Sequence, residues 1–280
     1  MGVSKTNILL RDFIKRRKEV SPKHYFQVQQ ELLCEPIAEY FEEFGASQLH
    51  KYFLENGLFY PDSKILNELK QLEKKQVWNL IKGQYEKLKK AWDGEEAEIF
   101  IFPVERRNEF IMKELKGKMG VSFHHVIIIF LSKESTPKEI EALFTHEYNH
   151  VCRLSRLQKE FQELSLLDSM IIEGMAEVAV AETVGEKLLA PWVSLYSKQE
   201  LIPFWIKAKS YLDLKGKMEH DRFLYGDNTS RGFPKWFGYS VGYLIVKAYL
   251  EKNKDISMKE LLKIETAEIL AKSGFDSNIK

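Results

Sequence analysis

The chain has 280 residues, 42 Lys+Arg against 41 Asp+Glu, 44% hydrophobic residues and 12% aromatics, the profile of an ordinary globular protein with enough apolar material for a sizeable core. A formal net charge of +1 excludes the strongly basic footprint of a dedicated nucleic-acid binder and the acidic signature of a disordered tail. The longest apolar run, Val126 to Leu131, is far shorter than the roughly 20 residues of a membrane helix. The first residues offer only Ile8, Leu9 and Leu10 before Arg11, too little for a signal-peptide core. Two cysteines, Cys34 and Cys152, are too few for a disulfide framework. We therefore expect a cytoplasmic protein with no membrane and no nucleic-acid partner.

In chain order, Lys15 to Lys18 read as a solvated helix end. Glu31 to about Ala91 is helical in period, broken by a loop over Asn56 to Asp62 and closed at Trp92-Asp93-Gly94. Glu98 to Phe102 alternates as a short strand. Phe123 to Leu131 reads as a second strand with both faces covered, paired with the first and carrying His124 and His125 on opposite faces. Thr136-Pro137-Lys138-Glu139 starts a helix with a capping residue, Pro at the first helical position and Glu three residues after the cap. A second strong helix is expected over about Leu164 to Leu189. Punctuation at Pro191, Pro203 and the Tyr225-Gly226-Asp227-Asn228 loop follows, then helices near Trp236 to Leu250 and Ser257 to Ala271. The fold class is α+β, mostly helical. We divide it into a helical N-terminal region, 1–95, and a catalytic domain, 96–280, made of the small sheet and the later helices.

The helix that follows Thr136 carries His146, Glu147, Tyr148, Asn149 and His150, the HExxH pattern. Four residues make slightly more than one turn, so both imidazoles project from one face and can share one metal ion. Glu147 stands about 100° around the axis, where it reaches a water on the metal's open side, the geometry of a general base in metal-assisted hydrolysis. The next strong helix carries Glu173 and Glu177, four apart on one face of a largely apolar stretch, and buried carboxylates need a partner. A dication held by the two histidines supplies it. Glu173 is assigned as third ligand, and Glu177 as the carboxylate that orients a ligand histidine, His146, through its other ring nitrogen.

HEYNH, followed by EGMAE after the 22 residues 151–172, resembles the gluzincin zinc peptidases, the thermolysin and aminopeptidase type. FTHEYNHVCR, IIEGMAE and GYSVGYLIVKAYL together resemble more closely a bacterial domain-of-unknown-function family of predicted Zn-dependent proteases, over roughly residues 100 to 255. The metzincin variant is excluded, because its Gly and third His would fall at Arg153 and Arg156. The resemblance implies a gluzincin-like fold, with a small sheet beside the HExxH helix and a helical lobe. It also implies one Zn²⁺ per chain and hydrolysis of a peptide or protein substrate by a Glu147-activated zinc-bound water. It further calls for a donor that steadies the oxyanion. Tyr239, beside Gly238 and Gly242, is the first choice, with Tyr243 and His220 in reserve. No aminopeptidase specificity carries over, since the Asn that often precedes the ligand Glu is Ile172 here. Two other readings remain open: a non-catalytic interaction protein on the same scaffold, and a zinc hydrolase acting on a different bond. His124, His125, Cys152, Arg222 and Arg231 are given packing or surface roles.

Overall fold

A computed structural model describes residues 1–41, 44–226 and 232–276, with the backbone alone at 217 and 218. Asp227, Asn228 and Arg231 lie outside the described residues. The class is α+β and mostly helical, with one small mixed sheet. The chain forms two compact units, Met1–Val151 and Cys152–Lys280.

The first unit contains β1 (Gly2–Val3), α1 (Thr6–Arg17), α2 (Tyr25–Gln29), α3 (Ala46–Glu55), α4 (Leu66–Lys74) and α5 (Val77–Trp92). Then come β2 (Glu98–Pro103), α6 (Glu109–Lys113), β3 (Lys118–Ser122), β4 (Val126–Leu131) and α7 (Pro137–Leu157), whose last turns belong to the second unit. The strand order is β1-β2-β4-β3. β2 and β4 pair in parallel from Glu98↔Val126 to Pro103↔Leu131, while β3 returns antiparallel to β4. Every residue of β2 and β4 is buried, as the unbroken Val/Ile/Phe run of β4 requires when both faces of a strand are covered.

One face of this sheet sets the extent of the unit. Phe100 and Phe102 of β2, with Val126, Ile128 and Phe130 of β4, share a single apolar cluster with Leu10 and Phe13 of α1, Leu49 and Phe53 of α3 and Leu69 of α4. The N-terminal helices thus supply part of the sheet's own core, and they fall in one compact unit with it, Met1–Val151. Helical period shows that a helix has an apolar stripe; it does not show which strand that stripe covers.

In the first unit two expected elements differ locally. The strand expected over Phe123 to Leu131 begins at Val126, and His124 and His125 sit in the turn of a hairpin whose first strand is β3. The helical period after Glu31 is carried by a π turn at Gln30–Cys34 and a 3₁₀ stretch at Glu35–Tyr40. There Pro36 removes a backbone donor that an α-helix would need.

The second unit contains α8 (Leu166–Thr183), α9 (Lys198–Ala208), α10 (Lys217–Leu224), α11 (Phe237–Lys252), α12 (Met258–Leu261) and α13 (Thr266–Ser273). Ser165 caps α8 through a capping box with Asp168. The helix ends at Thr183, short of the expected Leu189, and two residues later the chain takes up a positive φ of 125° at Gly185. The last expected helix is divided into α12 and α13, because Glu265 leaves the helical region at φ −57°, ψ 140°. α8 and α11 pass each other at glycines: a Cβ on Gly174 would stand 2.2 Å from the carbonyl of Gly242, and one on Gly242 would stand 1.9 Å from the oxygen of Met170. Among the described residues no helix is long and apolar enough to cross a membrane.

These observations give two stability predictions. Gly174→Ala should cost about 1–3 kcal/mol or more, because the new methyl meets backbone that has no rotamer to yield. Gly83→Ala in α5, where a Cβ meets open space, should gain about 0.5–1 kcal/mol. Urea denaturation of the pair checks both signs. The second prediction concerns His50, which is 6% exposed, contacts Gln29 Oε1 through Nε2 at 2.8 Å and is held down to a pKa of about 4 by burial. A histidine whose folded pKa lies below the unfolded value of about 6.5 stabilises the fold fully above that value and loses the contribution as pH falls toward 4. Between pH 7 and 4.5 the loss should be about 2–3 kcal/mol. The stability-versus-pH slope of His50→Gln should be flatter by that amount.

Candidate metal centre and active site

α7 starts where the sequence says it should. The Thr136 N–H donates to Glu139 Oε2 (2.9 Å), and the Glu139 N–H donates to Thr136 Oγ1 (3.3 Å). Its rotation about its own axis is fixed within the first unit by the middle residue of HEYNH. The Tyr148 ring stacks between Trp92 and Phe144, at centroid distances of 5.8 Å from each, and its hydroxyl donates to the Glu95 carbonyl (2.8 Å). One turn earlier, Gln84 Nε2 of α5 donates to Thr145 Oγ1 (2.9 Å). With Tyr148 committed to α5, the two histidines and Glu147 project elsewhere, and the rings of His146 and His150 stand 4.5 Å apart at 82°.

Glu147 is only 6% exposed. Ser122 Oγ, at the end of β3, lies 2.6 Å from its Oε2 and 3.0 Å from its main-chain oxygen. Gly120, two residues earlier on the strand, lies so close that a Cβ there would stand 2.3 Å from Glu147 Cγ. Sequence reading missed Ser122 and Gly120, because no Asn-Gly or Asp-Gly pair marked the hairpin that brings β3 to the site.

In the second unit, the last turn of α7 is anchored by Arg153. The residue is 1% exposed, with its guanidinium donating to Leu262 O (2.8 Å) and Thr266 Oγ1 (3.1 Å). Burial lowers its pKa to about 10. Glu173, on α8, is partly buried. Glu177, one turn on, is 3% exposed and accepts the Ala190 N–H at 2.9 Å, so the chain leaving α8 folds back over its carboxylate. Among the described residues one group could hold a metal ion, His146, His150 and Glu173, whose ligand atoms all lie within 4.8 Å of one another. Two imidazole nitrogens and a carboxylate oxygen are a donor set suited to Zn²⁺.

The three tyrosine and histidine candidates are placed differently. Tyr239, on α11, is 8% exposed and donates its hydroxyl to that of Tyr225 at 3.3 Å. Burial, then the negative charge of Glu173, pushes its pKa well above the ordinary tyrosine value. It stands in a cluster with Trp192, Tyr225 and Trp236, at ring distances of 4.9, 5.5 and 5.2 Å. Tyr243 is buried, with the Lys247 ammonium 5.7 Å above its ring, and burial raises its pKa as well. His220 has both ring nitrogens engaged inside the fold: Nε2 donates to Leu214 O (2.7 Å), so Nδ1 accepts from Ser169 Oγ (2.9 Å). Cys152 and Cys34 are buried free thiols, the latter pushed up to about 12 by burial. Arg222 is exposed beside Glu219.

Residues 77–271 match the family described as "Predicted Zn-dependent protease (DUF2268)". The chain is 35% identical over 201 residues to the uncharacterized protein YjaZ of Bacillus subtilis (strain 168), covering 71% of this chain and 76% of that one. It is 28% identical over 145 residues to the uncharacterized protein YjfC of the same organism, covering 49% of this chain and 48% of that one. With the larger part of its length matched, the chain belongs to the DUF2268 family of predicted Zn-dependent proteases.

Proposed function

We propose that this protein is a zinc-dependent peptidase of the gluzincin type, acting on a peptide or protein in the cytoplasm. The observation that carries the reading is the placement on one helix of two imidazoles 4.5 Å apart beside a carboxylate that is 6% exposed and held by a hydroxyl. A purely structural metal site has no use for a buried, oriented base next to its ligands.

His146, His150 and Glu173 would hold the ion, and Glu177 would orient His146 through the ring nitrogen that faces away from it. Bound Zn²⁺ supplies Lewis-acid polarisation of a carbonyl and makes water acidic enough to attack near neutral pH. Glu147 takes the proton from the attacking water and returns it to the departing amine nitrogen, so the peptide bond breaks with protons balanced. Tyr239 keeps its proton because burial holds its pKa high. A tyrosine in that state can donate a hydrogen bond to an oxygen that is gaining negative charge.

The test begins with metal content, measured by plasma mass spectrometry on the tag-free chain. About one zinc per chain is expected, lost in His146→Ala and lowered in Glu173→Ala. A fully loaded Glu173→Ala protein would mean that another group completes the site. Glu147→Gln should keep its zinc and lose about 10²–10⁴-fold in hydrolysis of a proteome-derived peptide pool. Zinc-free protein after reloading would remove the peptidase reading. Zinc-loaded protein with no Glu147-dependent cleavage would move it to an interaction scaffold or a different bond.

A further inference from the structure

We propose that Ser122, with Gly120 beside it, is the positioning device for Glu147, an inference that rests on Glu147 being the base. The three residues Lys118, Gly120 and Ser122 alternate along β3 toward α7. The Lys118 ammonium lies 3.9 Å from Glu139, and Gly120 and Ser122 meet Glu147. The intervening Met119 and Val121 pack on the other side, against the core of the N-terminal helices. Strand alternation therefore commits every residue of β3 to one of two surfaces.

On the α7 side the two positions divide the work. Gly120 does not have a positive φ, so no backbone conformation demands glycine there. What demands it is space: a Cβ would stand 2.3 Å from Glu147 Cγ and 2.4 Å from its Cδ and Oε1. Ser122 then supplies the donor. Its hydroxyl has one proton and two acceptors within reach, the Glu147 carboxylate at 2.6 Å and the Glu147 main-chain oxygen at 3.0 Å. The shorter contact to the charged group takes the proton, because hydrogen bonds to ionised acceptors are the shorter and stronger ones. The result, among the described residues, is a carboxylate held through Oε2, with Oε1 turned toward the face of the glycine and no β-carbon there to displace it. Ser122 touches no reacting atom; it acts by holding the group that does.

Full-length wild type, Ser122→Ala, Ser122→Thr and Glu147→Gln are compared by three measurements. The first is zinc content with thermal midpoint. The second is infrared difference spectroscopy of protein labelled with ¹³C-carboxyl glutamate, in which subtracting Glu147→Gln isolates the Glu147 band. The third is steady-state kinetics on a peptide that the wild type cleaves. Ser122→Ala should hold its zinc, shift the Glu147 carboxylate stretch and lower kcat by about 10- to 100-fold, the usual penalty for a misplaced reacting group, with KM changed less than about 2-fold. Ser122→Thr, which keeps a hydroxyl, should restore both the band and most of kcat. An unshifted band in Ser122→Ala overturns the proposal whatever the kinetics, and so does an unchanged kcat, or a loss that tracks zinc and is not rescued by threonine. A wild type with no zinc and no cleavage overturns the peptidase reading itself, and this role with it; that result shows in the parent protein before any variant is made.

Discussion

A carboxylate removed from water must be met by donors or by a cation, or it does not stay charged in the folded state. This requirement governs the arrangement of both units. Glu147, at 6% exposure, is met by the Ser122 hydroxyl, and that bond ties the hairpin strand β3 to the middle of α7. Glu177, at 3% exposure, is met by the Ala190 amide, and that bond ties the chain after α8 back onto the helix that carries it. In each case a polar bond at the site also decides where a neighbouring segment runs. The geometry that chemistry needs and the geometry that packing allows are fixed by the same contacts.

Close approach is the second half of that arrangement, and Gly120, Gly174 and Gly242 provide it near the site residues. Gly120 lets β3 lie against the Glu147 side chain, while Gly174 and Gly242 let α8 and α11 cross at backbone contact. Glu173 directly precedes Gly174, and Tyr239 lies one turn before Gly242. The crossing thus brings the charge of Glu173 to bear on the Tyr239 hydroxyl. A side chain at the crossing would separate the helices by more than a methyl radius and weaken that coupling, because an electrostatic effect of this kind depends on distance in a low-dielectric interior.

What could be read from the sequence follows from which features are local. The start of α7 was legible because a cap, a proline and a glutamate at fixed spacing are themselves the cause of helix initiation. The shared face of His146 and His150 was legible because four residues fix it. β4 was legible as a buried strand from its apolar run. β3 was not, because Lys118-Met119-Gly120-Val121-Ser122 has too little apolar weight to announce a strand. Its place is fixed by register with β4 and by the glycine's clearance of Glu147, which are tertiary facts. The same holds for the core: the helical period over the region of α3 and α4 was visible, but its target on β2 and β4 was not, and α1 was read only as a solvated helix end.

The three residues first offered as the oxyanion donor show the same limit more sharply. In sequence they differ little, each a polar aromatic in the C-terminal part of the chain, and Tyr239 leads only by its place beside Gly238 and Gly242. In the fold they differ in what their polar atoms already do. His220 spends Nε2 on a carbonyl and Nδ1 on a hydroxyl, so recruiting it to an oxyanion would break a bond inside the second unit. Tyr243 lies under the Lys247 ammonium, and the charges that bear on its hydroxyl are those of Lys247, Glu186 and Glu177. Tyr239 feels Glu173, and among the described residues its hydroxyl donates at 3.3 Å to another tyrosine, Tyr225, a weak and neutral acceptor. Exchanging that acceptor for an oxygen bearing negative charge strengthens the hydrogen bond at no cost in buried donors. That exchange is the property a transition-state donor needs, and it belongs to the environment of Tyr239 and not to its residue type.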